Sequence, residues 1–174
     1  MIYSIRFFDV ALTLLLLLVL FPVFMIAFIV ILFLDGRPVI FRQERIGLNG
    51  VTFLFYKFRS MRNHDSDALS VGSVIDIRKD QARITRLGGF LRRTNIDELP
   101  SLWNVLKGEM SLVGPRPLPS FYRSRFTRQQ FLRHTVRPGI TGLAQISGRN
   151  NIKWSSRFRL DLKYAQNASL CFYF

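Results

Sequence analysis

Residues 10–34, VALTLLLLLVLFPVFMIAFIVILFL, decide the architecture: the run is apolar except for Thr13 and contains a single helix-breaking residue, Pro22. As a helix it would be about 37 Å long at 1.5 Å per residue, against a hydrocarbon core of about 30 Å. It is too long for the h-region of a signal peptide, and no small-x-small cleavage site follows it. Pro22 cannot donate a backbone hydrogen bond and its ring crowds the preceding turn, so a kink is expected near the middle. In lipid the carbonyl freed there needs another partner. Arg6 lies before the run, and Arg37, Arg42 and Arg45 follow it. The positive-inside tendency places both flanks on the cytoplasmic side. Two arrangements meet these facts: a bent, re-entrant helix dipping into one leaflet, or a tilted and kinked span.

Outside this run about 150 residues remain, enough for one modest core. Asp35-Gly36-Arg37-Pro38 makes a turn-rich exit. Residues 39–47 and 51–61 are rich in β-branched and aromatic side chains on either side of Leu48-Asn49-Gly50, which predicts a hairpin. Residues 64–80, polar and acidic, read as a surface loop. Ala82 to Arg93 approximates helical spacing, interrupted by Gly88-Gly89. Leu99, Leu102, Trp103 and Leu106 fall at i, i+3, i+4 and i+7, an amphipathic helix stopped by Lys107-Gly108. Phe121 to His134 mixes aromatic with basic residues and reads either as an interfacial helix or as a surface helix over a core.

The formal net charge of +14 points to an anionic partner: nucleic acid, lipid headgroups or a phosphorylated substrate. A long apolar segment in the same chain favours the last two, and no nucleic acid is expected. One cysteine, Cys171, excludes an intramolecular disulfide. Two histidines and one cysteine cannot complete a four-ligand zinc site, so any metal is expected to be a hard cation on carboxylate oxygens.

Acidic residues number 11 against 25 basic ones, so the adjacent pair Asp97-Glu98 in RRTNIDELPSLWNVLKG stands out. Pro100 belongs in a first helical turn, which makes Asp97 a candidate N-cap, with Thr94-x-x-Asp97 resembling a capping box. The alternative is chemical. A helix start favours an ionised carboxylate and a nearby phosphate, and two adjacent carboxylates can hold Mg²⁺ while one attacks phosphorus. In Gly114-Pro115-Arg116-Pro117 a proline on each side stiffens the backbone around a guanidinium suited to bidentate phosphate contact. Arg137 to Asn150 carries three glycines that permit close backbone approach to a ligand.

Together these stretches resemble the monotopic phosphoglycosyl transferases of the bacterial sugar transferase family, in their minimal, small-catalytic-domain form. The resemblance is carried in order by Arg6-Phe7-Phe8-Asp9, Phe41 to Gly47, Lys57 to Met61, Arg92-Arg93-Thr94 with Asp97-Glu98-Leu99-Pro100, Trp103-Asn104-Val105, Gly108 to Ser111, Val113 to Pro117 and Arg137 to Asn150. It implies an α+β, mostly helical chain. Residues 1–36 would form a re-entrant membrane helix, and residues 37–174 a cytosolic catalytic domain with a short hairpin and interfacial amphipathic helices.

It also implies an activity: transfer of a sugar-1-phosphate from a UDP-sugar to polyprenol (undecaprenyl) phosphate at the bacterial inner membrane, as the first membrane step of glycan assembly. Asp97 would attack the β-phosphate, release UMP and form a covalent aspartyl-phosphosugar, with Glu98 assisting Mg²⁺ binding. Arg92, Arg116 and Arg149 would line the phosphate and nucleotide site, joined by Lys57, Arg59, Pro115 and Pro117, while Arg6, Asp9 and Pro22 fix the membrane bend. The chain departs from the family pattern at Phe21, where a Ser usually precedes the proline. It also departs after Leu170 to Phe174, where relatives generally continue, so a C-terminal membrane-contacting segment is expected to be missing or shortened. The rival reading, a non-catalytic basic membrane-anchored module for anionic lipid or nucleic acid, gives Asp97-Glu98 no role.

Overall fold

The computed structural model of the chain describes residues 2–62, 83–148 and 152–173, without the side chains of residues 2, 3, 171 and 172. The described part is mostly helical with one antiparallel hairpin. Helix α1 (Ile2–Leu34) runs unbroken through Pro22 and is apolar and long enough to cross a membrane.

Two separated stretches of α1 are built into the rest of the protein. Arg6 donates from Nη1 to the Val105 carbonyl and from Nη2 to the Leu106 carbonyl at 2.7 Å. Those are end carbonyls of helix α3 (Leu102–Lys107), and that of Val105 also accepts from the C-cap Gly108 N at 3.0 Å. The fully buried Asp9 carboxylate accepts from Ser111 Oγ at 2.9 Å, Leu112 N at 2.8 Å and Tyr173 Oη at 2.8 Å. Near the other end, Ala27 and Ile31 share a buried apolar cluster with Val39, Phe58 and Leu91, and the Phe24 ring packs 4.9 Å from that of Phe58. Burying a side chain such as Ile31 contributes about 1.5–3 kcal/mol. Between these stretches Leu14, Leu15, Leu18, Val19 and Phe21 are exposed.

The hairpin forms as its turn residues dictate. Strands β1 (Ile40–Ile46) and β2 (Thr52–Phe58) pair antiparallel, with Ile46 opposite Thr52. Asn49 and Gly50, at φ +54° and +79°, supply the left-handed conformations that reverse the chain. Asn104 stitches α3 to β2: its Oδ1 accepts from Tyr56 N at 3.1 Å and its Nδ2 donates to Leu54 O at 2.7 Å.

Helix α2 (Arg86–Thr94) is capped by Thr85, whose hydroxyl accepts from Gly88 N at 2.9 Å. Gly88-Gly89 does not interrupt it. A Cβ at Gly88 would stand 1.9 Å from the Ser60 carbonyl oxygen, so the glycine lets α2 lie directly on the backbone after β2. A 3₁₀ turn over Ile96–Ser101 precedes α3, where sequence periodicity predicts a single helix from Leu99. The segment from Phe121 to His134 is likewise divided, into a 3₁₀ turn at Ser120–Arg125, helix α4 (Arg128–Phe131) and a 3₁₀ turn at Leu132–Thr135. Thr127, with Gln130, forms a capping box that restarts the chain in the middle of the expected helix. A short parallel pair, β3 (Ser111–Val113) with β4 (Gly139–Thr141), brings the Pro-Arg-Pro loop beside the glycine-rich stretch. Helices α5 (Leu143–Ile146), α6 (Trp154–Gln166) and α7 (Leu170–Tyr173) complete the described chain. The polar loop expected at residues 64–80 lies outside the described residues.

Candidate active site

Asn95 follows α2 in the left-handed conformation (φ 57°, ψ 15°), which asparagine tolerates better than most residues, and this turns the chain into the 3₁₀ segment that carries Asp97 and Glu98. Asp97 is no helix cap. Helix α3 starts only at Leu102, and the Thr94 hydroxyl donates back to the Phe90 and Leu91 carbonyls at 3.0 and 3.1 Å. The Asp97 carboxylate, 6% exposed, is left facing a cavity of about 890 Å³.

That cavity gathers five of the residues singled out from sequence: Lys57 from β2, Arg92 from α2, Asp97 and Glu98 from the 3₁₀ turn, and Arg116 from the Pro-Arg-Pro loop. Arg116 forks Glu98, donating from Nη1 to Oε2 at 3.2 Å and from Nη2 to Oε1. Pro115 and Pro117 do not line the cavity; they act through their carbonyls, which accept from Gly139 N at 3.0 Å and Arg45 Nη1 at 2.7 Å. Arg59 lies elsewhere. Its buried guanidinium donates to the Asp35, Gly36 and Arg37 carbonyls and so fastens the exit of α1. Arg149 lies outside the described residues.

Charge at the site is divided unequally between the two carboxylates. Burial and the adjacent Glu98 charge hold Asp97 above the usual aspartate range, against the opposing pull of Lys57, Arg92 and Arg116. Burial pushes Glu98 up too, but the Arg116 charge and hydrogen bonds, with Arg45 and Lys57 behind them, prevail and carry it below its ordinary value. Lys57 is lowered to about 8, first by burial and then by the Arg45 charge. Glu98 is thus a fixed anion clasped by arginine, and Asp97 is the carboxylate with freedom to react.

Sequence reasoning passed over Asn95, Gln145 and Arg157, which also line the cavity. Gln145 carries the least predictable feature, since both polar atoms of its amide are buried without a hydrogen-bond partner among the described residues. Its place in the glycine-rich stretch was its one signal. Arg157, with its guanidinium 4.6 Å from the Trp154 ring, had none among so many arginines.

Comparisons with known proteins show the family of the chain. The model of the family described as bacterial sugar transferase matches residues 2–174. An uncharacterized sugar transferase, EpsL of Bacillus subtilis (strain 168), is 49% identical over 134 residues, covering 77% of this chain and 63% of the relative. The exopolysaccharide production protein ExoY of Sinorhizobium fredii is 39% identical over 95% of this chain and 78% of its own length. The UDP-glucose:undecaprenyl-phosphate glucose-1-phosphate transferase of Escherichia coli (strain K12) is 38% identical over 94% of this chain but only 36% of its own length. The chain spans just under two thirds of EpsL and about a third of several longer relatives. With the family model matched from Ile2 to Phe174, this chain belongs to the bacterial sugar transferase family.

Proposed function

We propose that the protein transfers a sugar-1-phosphate from a UDP-sugar to polyprenol phosphate, the undecaprenyl lipid named for several relatives, through a covalent intermediate on Asp97. The observation that carries this reading is the cavity itself: two carboxylates on its wall, one of them clasped by arginine and one not, among Lys57, Arg92, Arg116 and Arg157. Phosphoryl transfer asks a protein chiefly for positioning and charge neutralisation, and these side chains provide both. In the first step an Asp97 carboxylate oxygen attacks the β-phosphorus. The bond from that phosphorus to the oxygen bridging toward the α-phosphate breaks, and UMP leaves. In the second step a terminal oxygen of polyprenol phosphate attacks the same phosphorus and releases Asp97, giving the lipid diphosphosugar. Two steps let two bulky anions use one site in turn.

Mg²⁺ fits the donors available. Asp97 and Glu98 are the carboxylates lining the cavity among the described residues, and Mg²⁺ is commonly held by one or two carboxylates together with substrate phosphate oxygens. When bound it would neutralise charge developing on the transferred phosphoryl group.

The membrane reading goes with the chemistry. Both Arg6–Asp9 and Ala27–Ile31 touch the body that carries the cavity, while Leu14, Leu15, Leu18, Val19 and Phe21 between them are exposed. That supports a re-entrant helix entering and leaving on one face, the cytoplasmic face of the inner membrane by the basic flanks. The exposed Trp103 and Phe90 supply amphipathic and apolar surface suited to the lipid boundary.

The test is UMP release from a panel of UDP-sugars with polyprenol phosphate and Mg²⁺. Release is expected for at least one sugar, and silence across the panel from folded protein would remove the reading. Asp97→Asn is expected to abolish both turnover and a trapped protein–phosphosugar adduct. Substantial activity in that variant would dismiss Asp97 as the nucleophile.

A further inference from the structure

Two buried guanidinium groups end on consecutive carbonyls of the Pro-Arg-Pro loop. Arg133 Nη2 donates to the carbonyl oxygen of Arg116 at 2.8 Å, and Arg45 Nη1 donates to that of Pro117 at 2.7 Å. Arg133, 1% exposed, pairs with Asp161 of α6, 2% exposed, at 2.7 Å. Its Nε and Nη1 make no hydrogen bond among the described residues, so its one hydrogen bond there goes to the Arg116 carbonyl, with Asp161 beside it as a charge partner. The Phe158 ring, on the same face of α6 as Asp161, lies 5.5 Å from the guanidinium. Residues far apart in sequence therefore converge on the backbone of the one loop whose side chain forks Glu98.

A buried ion pair is a poor way to stabilise a core. Desolvating both ions cancels much of their attraction, and apolar residues of similar volume often serve as well or better. What such residues cannot supply is a charged donor aimed at a carbonyl. The flanking prolines limit the φ angles of the loop, and the two grips on the Arg116 and Pro117 carbonyls fix how that stiffened loop is set. We propose that Arg133, paired with Asp161, is a positioning residue that acts with Arg45 to direct Arg116 toward Glu98 and the substrate phosphates. This rests on the transfer reading given above.

The test uses the full chain reconstituted in lipid. Arg133→Met/Asp161→Leu removes the donor and the pair while keeping apolar volume. The variant is expected to melt close to the wild type, yet to release UMP with a kcat about 100-fold lower, the scale of loss for a misplaced reacting partner. In an Arg116→Ala background the same double substitution is expected to cost nothing further, since the effect passes through Arg116. Wild-type kcat in the folded double variant, or losses that multiply in the triple variant, would overturn the proposal. Should the double variant fail to fold, Arg133→Lys keeps the ion pair but gives up the planar geometry that serves both partners. A fall in kcat is expected there as well, and an unchanged value overturns the assignment. Wild-type protein assayed in parallel separates the two ideas, because its own failure to release UMP counts against the transfer reading alone. Calorimetric titration with UDP then reads the Arg116 site without turnover. Binding about tenfold weaker in the Arg133→Met/Asp161→Leu variant is expected for one misaligned charged contact, and equal affinity overturns the proposal.

Discussion

Lys57 and Asp97 set opposite limits on the pH at which the site can work. As the proposed nucleophile Asp97 has to be ionised, and burial beside Glu98 has raised its pKa, so activity is expected to fall on acidification earlier than an ordinary aspartate would dictate. In the proposed phosphate-binding role Lys57 has to be protonated, and its lowered value of about 8 puts the expected alkaline loss of affinity near that pH. The pH profile of kcat/KM should therefore be a bell, and Lys57→Arg should flatten its alkaline limb because arginine stays charged. An alkaline limb unchanged in that variant would remove Lys57 from substrate binding. Asp97 drew notice in the sequence because carboxylates are rare in so basic a chain, and the structure sets it in one cavity with Arg92 and with Arg116 of the Pro-Arg-Pro loop. Its local geometry was not legible there, because one left-handed residue, Asn95, replaces the expected helix start with a 3₁₀ turn. Arg45 and Arg133 were equally opaque. Nothing separates a buried arginine from a solvated one in sequence until the residues that bury it are known.

Among the elements, those whose signal is local were read correctly. The hairpin follows from Asn49-Gly50 between two β-prone runs, and the end of α3 follows from Lys107-Gly108, with Gly108 at φ +83°. Elements defined by tertiary contact were misread. Gly88-Gly89 looked like a weak point in α2, yet Gly88 is where α2 meets the Ser60 backbone. Gly88→Ala is accordingly expected to destabilise the protein by about 1–3 kcal/mol, the usual cost of overpacking, despite the higher helix propensity of alanine. Chemical unfolding in detergent micelles would measure it. A neutral or stabilising result would show that α2 can lift away without loss. Because α2 also carries Arg92, the same variant should lose activity along with stability.

At the scale of the whole molecule, the topology of α1 is testable with single cysteines. In a Cys171→Ser background, Ser4→Cys and Arg37→Cys report on the two exposed flanks of the helix. With a re-entrant helix neither reacts with an impermeant reagent in intact cells, and both react once the membrane is opened. Labelling of one site from outside would establish a span. The apolar run made membrane contact readable from sequence, but re-entry or crossing was not, since charge on both flanks and a central proline fit either.

The attachment of α1 through Arg6 and Asp9 at one end and Ile31 at the other means that the anchor is not a detachable module. Trimming residues 1–36 would strip Ser111 Oγ and Leu112 N of their acceptor, uncap the end of α3 and open Phe58 and Leu91 to water. A trimmed chain is expected to emerge from gel filtration as aggregate without activity, and a monodisperse, active one would refute this. Exchange of the anchor for an unrelated membrane helix should fail for the same reason. A water-soluble form would have to be redesigned at those seams, with new partners for each group that the helix now satisfies. Docking of α1 and completion of the body that carries the cavity are, in that sense, a single folding event.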